Sequence, residues 1–207
     1  CKQSYESAAI WFLKAARQGY KEAQANYANM LVHGYGVKPN IKEAVMWYTK
    51  ASNMGDALAQ ASLAGLYMSG QGVGQNIELA IYWYEKAAYQ NDLDAQEKLA
   101  IIYSQIKPNK QKASIFHLMA AKNGSVTSQV YLSEAYMYGQ VGLEKNEIES
   151  AKWTRKAAER GHHLCQCNLG LFLKTGMYGE KKDLKQAMFW FEKSAKQGNG
   201  MAKAKYA

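Results

Sequence analysis

"GYGVKPNIKEAVMWYTKASNMG", residues 34–55, is followed by a variant of itself, "GQGVGQNIELAIYWYEKAAYQN", at residues 70–91. With Trp47 as the anchor of the first copy, the same slot holds Trp11, Trp83, Phe116, Trp153 and Trp190. Successive anchors along the chain lie 36, 36, 33, 37 and 37 residues apart. Self-similarity at such a period marks an array of small structural units.

The slots around the anchor give each unit its shape. Three residues before it stand Ala8, Ala44, Ala80, Ala113, Ser150 and Ala187. Seven before it stand Ser4, Asn40, Asn76, Asn109, Asn146 and Asp183, residues whose side chains cap helix N-termini. Asn40–Glu43, Asn146–Glu149 and Asp183–Gln186 have capping-box spacing. Eight after the anchor come Gly19, Gly55, Asn91, Gly124, Gly161 and Gly198, suited to the left-handed residue that ends a helix. A second helical run carries Ala23, Ala59, Ala95, Ser128, Cys165 and Ala202, then Tyr27, Leu63, Leu99, Leu132 and Leu169, then Leu31, Tyr67, Tyr103, Tyr136 and Leu173, four apart on one face. Each unit is therefore a helix, a glycine-rich loop, a capped helix and a tight turn. One such hairpin cannot bury its apolar face, but stacked hairpins can. The prediction is an all-α fold, a right-handed α/α superhelix of helix–turn–helix repeats of about 36 residues. It forms one repeat domain over 1–207, with full units at 20–55, 56–91, 92–124, 125–161 and 162–198 and partial units at 1–19 and 199–207. The third loop, "SQIKPNKQK", lacks glycine and is shorter, so the local curvature is expected to change there.

The bulk properties agree. The chain has 207 residues, 48% hydrophobic and 21% charged, an ordinary globular balance. Its 2 prolines leave long helices possible, and no run of 18 apolar residues occurs. The net charge of +9 favours acidic partners: acidic proteins, nucleic acid or anionic surfaces. Nucleic acid is the weakest of these, because the tryptophans fall in core slots and leave no stacking platform.

Residues 34–55 and 70–91 resemble the Sel-one-like repeat (SLR), a relative of the tetratricopeptide repeat, and the resemblance runs through all six anchors. It implies an α-solenoid acting as a non-catalytic adaptor that binds a protein or peptide, without a cofactor. It also implies a bacterial periplasmic, envelope or secreted setting over a cytoplasmic one. Some members were proposed as β-lactamases or penicillin-binding proteins, which makes an envelope hydrolase the alternative. Those members pair cysteines within each repeat, and this chain does not. Cys1 takes the apolar loop slot of Val37, Val73, Ile106 and Leu143, which reads as the interior of a longer protein rather than a lipid-anchored N-terminus.

"GHHLCQCNLG", residues 161–170, suggests a metal site, but the register argues otherwise. Cys165 takes an alanine slot and behaves as a small core hydrophobe. Cys167 lies roughly 200° around the helix, toward the other side. Only His163 and Cys167 share a face, and two ligands are too few for structural zinc. No metal and no catalytic residue is expected.

Two surfaces could meet a partner. Lys38, Lys42, Lys107, Lys110, Lys112, Lys145, Lys181, Lys182 and Lys185 lie in or beside the glycine-rich loops and could form a basic edge. The first helices of the units carry varying residues off their core face: Asn26, Asn29, His33, Ser62, Ser69, Lys98, Gln105, Tyr131, Glu134, Tyr138, Asn168 and Thr175. Variable positions on a regular frame suit a recognition groove.

Overall fold

The computed structural model describes residues 2–139 and 142–206, with the side chains of residues 2, 3 and 206 left undescribed. Cys1, and with it the question of an anchor there, lies outside the described residues. Twelve α-helices and no strand occur among the described residues. They are α1 (Lys2–Arg17), α2 (Lys21–His33), α3 (Ile41–Asn53), α4 (Ala57–Ser69), α5 (Ile77–Tyr89), α6 (Leu93–Ile101), α7 (Lys110–Lys122), α8 (Val126–Tyr138), α9 (Glu147–Glu159), α10 (His163–Thr175), α11 (Leu184–Lys196) and α12 (Gly200–Tyr206). Two compact units divide between Leu99 and Ala100. Within each, a helix packs chiefly on the helices before and after it in sequence, the connectivity of a helical repeat array.

The small slots let the helices close together. Ala44, Ala80, Ala113, Ser150 and Ala187 are buried, as are Ala51, Ala87, Ala120 and Ala157 one turn past the anchor. Phe116, Trp83, Trp153 and Trp190 are buried beside them, and Trp47 is half-buried with its ring edge-on to Tyr27. Trp11 departs from the register and is 67% exposed. Its counterparts Trp47 and Phe116 meet a ring on the preceding helix, Tyr27 and Tyr103. α1 is the first helix described, so Trp11 meets no such ring among the described residues.

Asn40, Asn76, Asn109, Asn146 and Asp183 each cap an odd-numbered helix, accepting from the backbone N–H three residues on. Ser4 does not, because α1 already runs through it. The capping boxes also differ from expectation. Glu43 and Gln186 meet the cap's side chain, not its backbone N–H, and Glu149 pairs with Lys152. The cap N–H is already engaged. It donates to the end of the preceding even helix or the turn that follows it: Asn40 to Leu31, Asn76 to Tyr67, Asn109 to Tyr103, Asn146 to Tyr136 and Asp183 to Leu173. One residue thereby starts a helix and closes the loop before it.

Gly36 and Gly72 show what the glycine loops require. Their φ values are +68° and +71°, and an added Cβ would lie 2.3 Å from the Tyr5 backbone or 2.6 Å from Ile41 Cγ2. In the third loop that slot holds Gln105, and no glycine ends the helix. There the chain widens into a π-helical turn, Ile102–Ile106, after which Lys107 N–H donates to Ile102. The loop without glycine is accommodated here by a change of helix type.

A second series escaped the sequence reading. Gln24, Gln60, Gln96, Gln129 and Gln166 occupy one slot and are all buried. Each side-chain amide donates to a carbonyl eight residues back, at the end of the preceding odd helix: Ala16, Ser52, Ala88, Ala121 and Ala158, at 2.9–3.2 Å. The glutamine stitches the end of one helix to the next. Gln96→Leu fills the same space but removes a hydrogen bond from the Ala88 carbonyl, which keeps its backbone partner Asn91, so unfolding free energy should fall by about 1 kcal/mol with native helix content retained. Urea denaturation followed by circular dichroism measures this, and an unchanged midpoint would refute the stitching role.

Candidate functional site

All twelve candidate residues lie on the even-numbered helices or the π-helical turn. Several spend their polar groups on their own helix. Asn26 donates to the Glu22 carbonyl, Ser69 to Gly65 and Thr175 to Leu171. His33 is exposed and stacks on Tyr35. Gln105 is exposed in the π-helical turn, Tyr138 is exposed at the end of α8, and Asn29 is half-buried on α2. Tyr131 lies flat on buried His117, ring centroids 3.6 Å apart.

Four candidates converge in two pockets, one in each compact unit. Between α4 and α6, Ser62 and Lys98 line a cavity of about 490 Å³ with Leu58, Ala61, Asp92 and Asp94. Between α8, α10 and α12, Glu134 and Asn168 line a tighter one of about 170 Å³ with Leu164, Cys167, Asn199 and Met201. The two occupy the same register: Leu58 and Leu164 share a slot, as do Ala61 and Cys167, Ser62 and Asn168, Asp92 and Asn199, and Asp94 and Met201. The frame repeats and the lining chemistry does not.

Asp92 and Asn199 belong to a second cap series, also missed from sequence. Nine residues after every anchor but Trp11, where Tyr20 makes no side-chain cap, Asp56, Asp92, Ser125, His162 and Asn199 cap the even helices by accepting the N–H three residues on. This explains the histidine and cysteine cluster. The His162 ring caps α10 by accepting Cys165 N–H at 3.4 Å, and its Nδ1 lies 3.2 Å from the Cys165 thiol. Burial, followed by the Glu134 carboxylate, pushes that thiol up to about 12. It is a neutral packed thiol and not a nucleophile. Cys167 does not face away from the core as expected. It is 2% exposed, because α10 is covered on more than one side. Among the described residues no three His, Cys, Asp or Glu side chains are placed to hold a metal ion. All nine loop lysines are exposed; Lys145 pairs with Glu147 at 2.8 Å, and Lys112 donates to the Tyr103 hydroxyl.

Comparison with known proteins identifies the repeat. The sequence model of the Sel1 repeat matches residues 1–20, 21–56, 57–92, 93–125, 126–162 and 163–199. A protective antigen of uropathogenic Escherichia coli displaying an SLR fold is 31% identical, with a TM-score of 0.85 over 98% of this chain and 44% of that one. A Sel1 repeat protein from Oxalobacter formigenes is 29% identical, with a TM-score of 0.72 over 98% of this chain and 83% of that one. The chain thus spans less than half the length of the first and most of the second. The fold is the all-α solenoid class of these structures, built from repeated helix–turn–helix units. No described helix is long and apolar enough to cross a membrane.

His117 gives the Tyr131 region a pH dependence. It sits where other units place Tyr48, Tyr84, Thr154 or Phe191, with Nδ1 3.2 Å from Ser128 Oγ. Burial lowers its pKa from 6.5 to about 4. The unfolded chain takes up this proton first, so the neutral ring's contribution is whole above pH 6.5 and is lost as pH falls through 4. His117→Phe should lose less stability between those limits than the parent chain. Parallel curves of unfolding free energy against pH would count against burial of a neutral imidazole.

Proposed function

The chain belongs to the Sel1 repeat family, and from that premise we propose that it is a non-catalytic scaffold holding a protein or peptide on the face of its even-numbered helices. Sel1 repeat proteins are in general protein–protein interaction scaffolds. The observation that carries the reading is the pair of pockets at equivalent slots. A regular frame presents Ser62, Asp94 and Lys98 in one unit and Glu134, Asn168 and Met201 in the other. Binding energy concentrates where side chains enter such recesses.

The basic loops offer a second surface, since Lys38, Lys42, Lys181, Lys182 and Lys185 are exposed. The two are separable by experiment. A partner captured by the immobilised chain is identified by mass spectrometry, purified and titrated against variants. Ser62→Tyr with Asn168→Tyr, which fill both pockets, should weaken it at least about tenfold, the loss of one well-packed contact. Lys181→Glu, Lys182→Glu and Lys185→Glu together should leave it within about twofold. The opposite pattern, with affinity falling steeply as salt rises, assigns binding to the loops and an anionic partner.

A further inference from the structure

The 170 Å³ pocket of the second unit has a more specific chemistry than its partner. Its walls are apolar where Val130, Leu164, Cys167 and Met201 meet. Ser133, His162, Asn168, Asn199 and Glu134 break that surface, and the last two give it its character. Asn199 is 8% exposed; its Oδ1 is committed to Ala202 N–H, and its Nδ2 is buried without a hydrogen-bond partner in the structure. A buried donor left unpaired carries a desolvation cost that an incoming acceptor would relieve. The other group is Glu134, an exposed residue and the one carboxylate among the lining side chains. Burial and then His163 lower the His162 pKa, against a rise from Glu134. No lysine or arginine is among the lining side chains, although Lys205 lies near enough to act on the Cys167 thiol.

We propose that this pocket receives a lysine or arginine side chain from a bound protein segment. The aliphatic stem lies on Leu164 and Met201, the cation meets Glu134, and the inserted residue's own main-chain carbonyl accepts from Asn199 Nδ2. The volume suits one long side chain, and long basic side chains join an apolar stem to a charged head. An acidic residue would meet Glu134 with like charge, and a purely apolar one would bring Glu134 no cation. The proposal rests on the reading that the even-helix face holds a partner and specifies what that partner inserts.

The test is a nitrogen-15 NMR titration of the whole chain. N-acetyl-lysine methylamide is compared with the norleucine and glutamate analogues and with butylamine, which keeps stem and cation but lacks the carbonyl. The lysine probe should shift the amides of Cys167 and Asn199 saturably and bind up to about fivefold tighter than norleucine. Glu134→Gln should erase that advantage. Asn199→Ser keeps a cap oxygen and removes the amide donor, so the preference for the lysine probe over butylamine should shrink about fivefold. Circular dichroism checks that both variants fold. Equal binding of norleucine, an unaffected Glu134→Gln, or no saturable shift in the millimolar range overturns the proposal. If the pocket-filling variants release the captured partner while Glu134→Gln and Asn199→Ser change neither partner nor probe, only the basic-residue assignment falls. If the probe behaves as expected but the pocket-filling variants keep the partner, the even-helix reading fails and the pocket stands.

Discussion

The even-numbered helices are enclosed on more than one side, and most of the architecture follows from that constraint. A helix packed against its own hairpin partner and against the next hairpin has little surface left for polar groups. In α10, Cys165, Cys167, Leu169 and Leu173 are all buried, though they do not form one stripe. In α4 the buried set is Ala59, Gln60, Ala61, Leu63, Ala64 and Leu66, again spread around the helix. Small side chains share these positions with leucine and the buried glutamine, as Ala59, Ala61 and Ala64 do with Gln60, Leu63 and Leu66 in α4. Larger groups enter from the odd-numbered helices, as Phe116, Trp83, Trp153 and Trp190 do.

Close packing of this kind would strand helix ends, because their backbone groups lose water without gaining partners. The repeat resolves each end with a fixed residue. The cap of the odd helix turns its own N–H back onto the preceding even helix or turn. The cap of the even helix satisfies the first turn, and the buried glutamine takes a carbonyl at the end of the odd helix. Where a slot changes, a local substitute appears or a group is left over. Ser150 replaces alanine and donates to the Ser133 carbonyl at 2.7 Å. Gln90 and Gln197 donate to the glutamines of the preceding units, Gln60 and Gln166. Met54 stands in that slot one unit earlier, and Gln24 Oε1 is left buried without a partner in the structure.

Fold class was legible because it rests on identity and spacing. The anchors, the small slots and the asparagine caps recur in register, and periodicity needs no knowledge of contacts. What was not legible depends on how many neighbours a helix has. A stripe assignment treats a helix as one buried face and one wet face. That assumption put Cys167 on the outside and passed over the glutamines, whose polarity reads as exposure until their carbonyl partner is known. Trp11 failed differently: its slot is correct, but the burial of that slot comes from the preceding helix. Of the twelve candidate residues on the even helices and the π-helical turn, four line pockets. Leu58, Leu164, Asp92 and Asn199 were missed because they sit at helix starts, outside the run that was scanned for variation.

The same enclosure bears on recognition. Positions that hold the stack together leave little room for change, so variation collects at the slots that face the recesses between even helices. There the chain departs from its own average charge. Asp92 and Asp94 face one recess and Glu134 the other, while lysines crowd the loops. Lys98 shares the first recess with its two aspartates, but neither recess matches the lysine-rich loops, so net charge alone does not say what the proposed binding face would take. Long-range attraction would draw acidic partners to the loops, whereas close contact in the recesses rewards a basic side chain. A segment carrying both would satisfy each surface in turn, with the loops setting the encounter and the recesses setting the register.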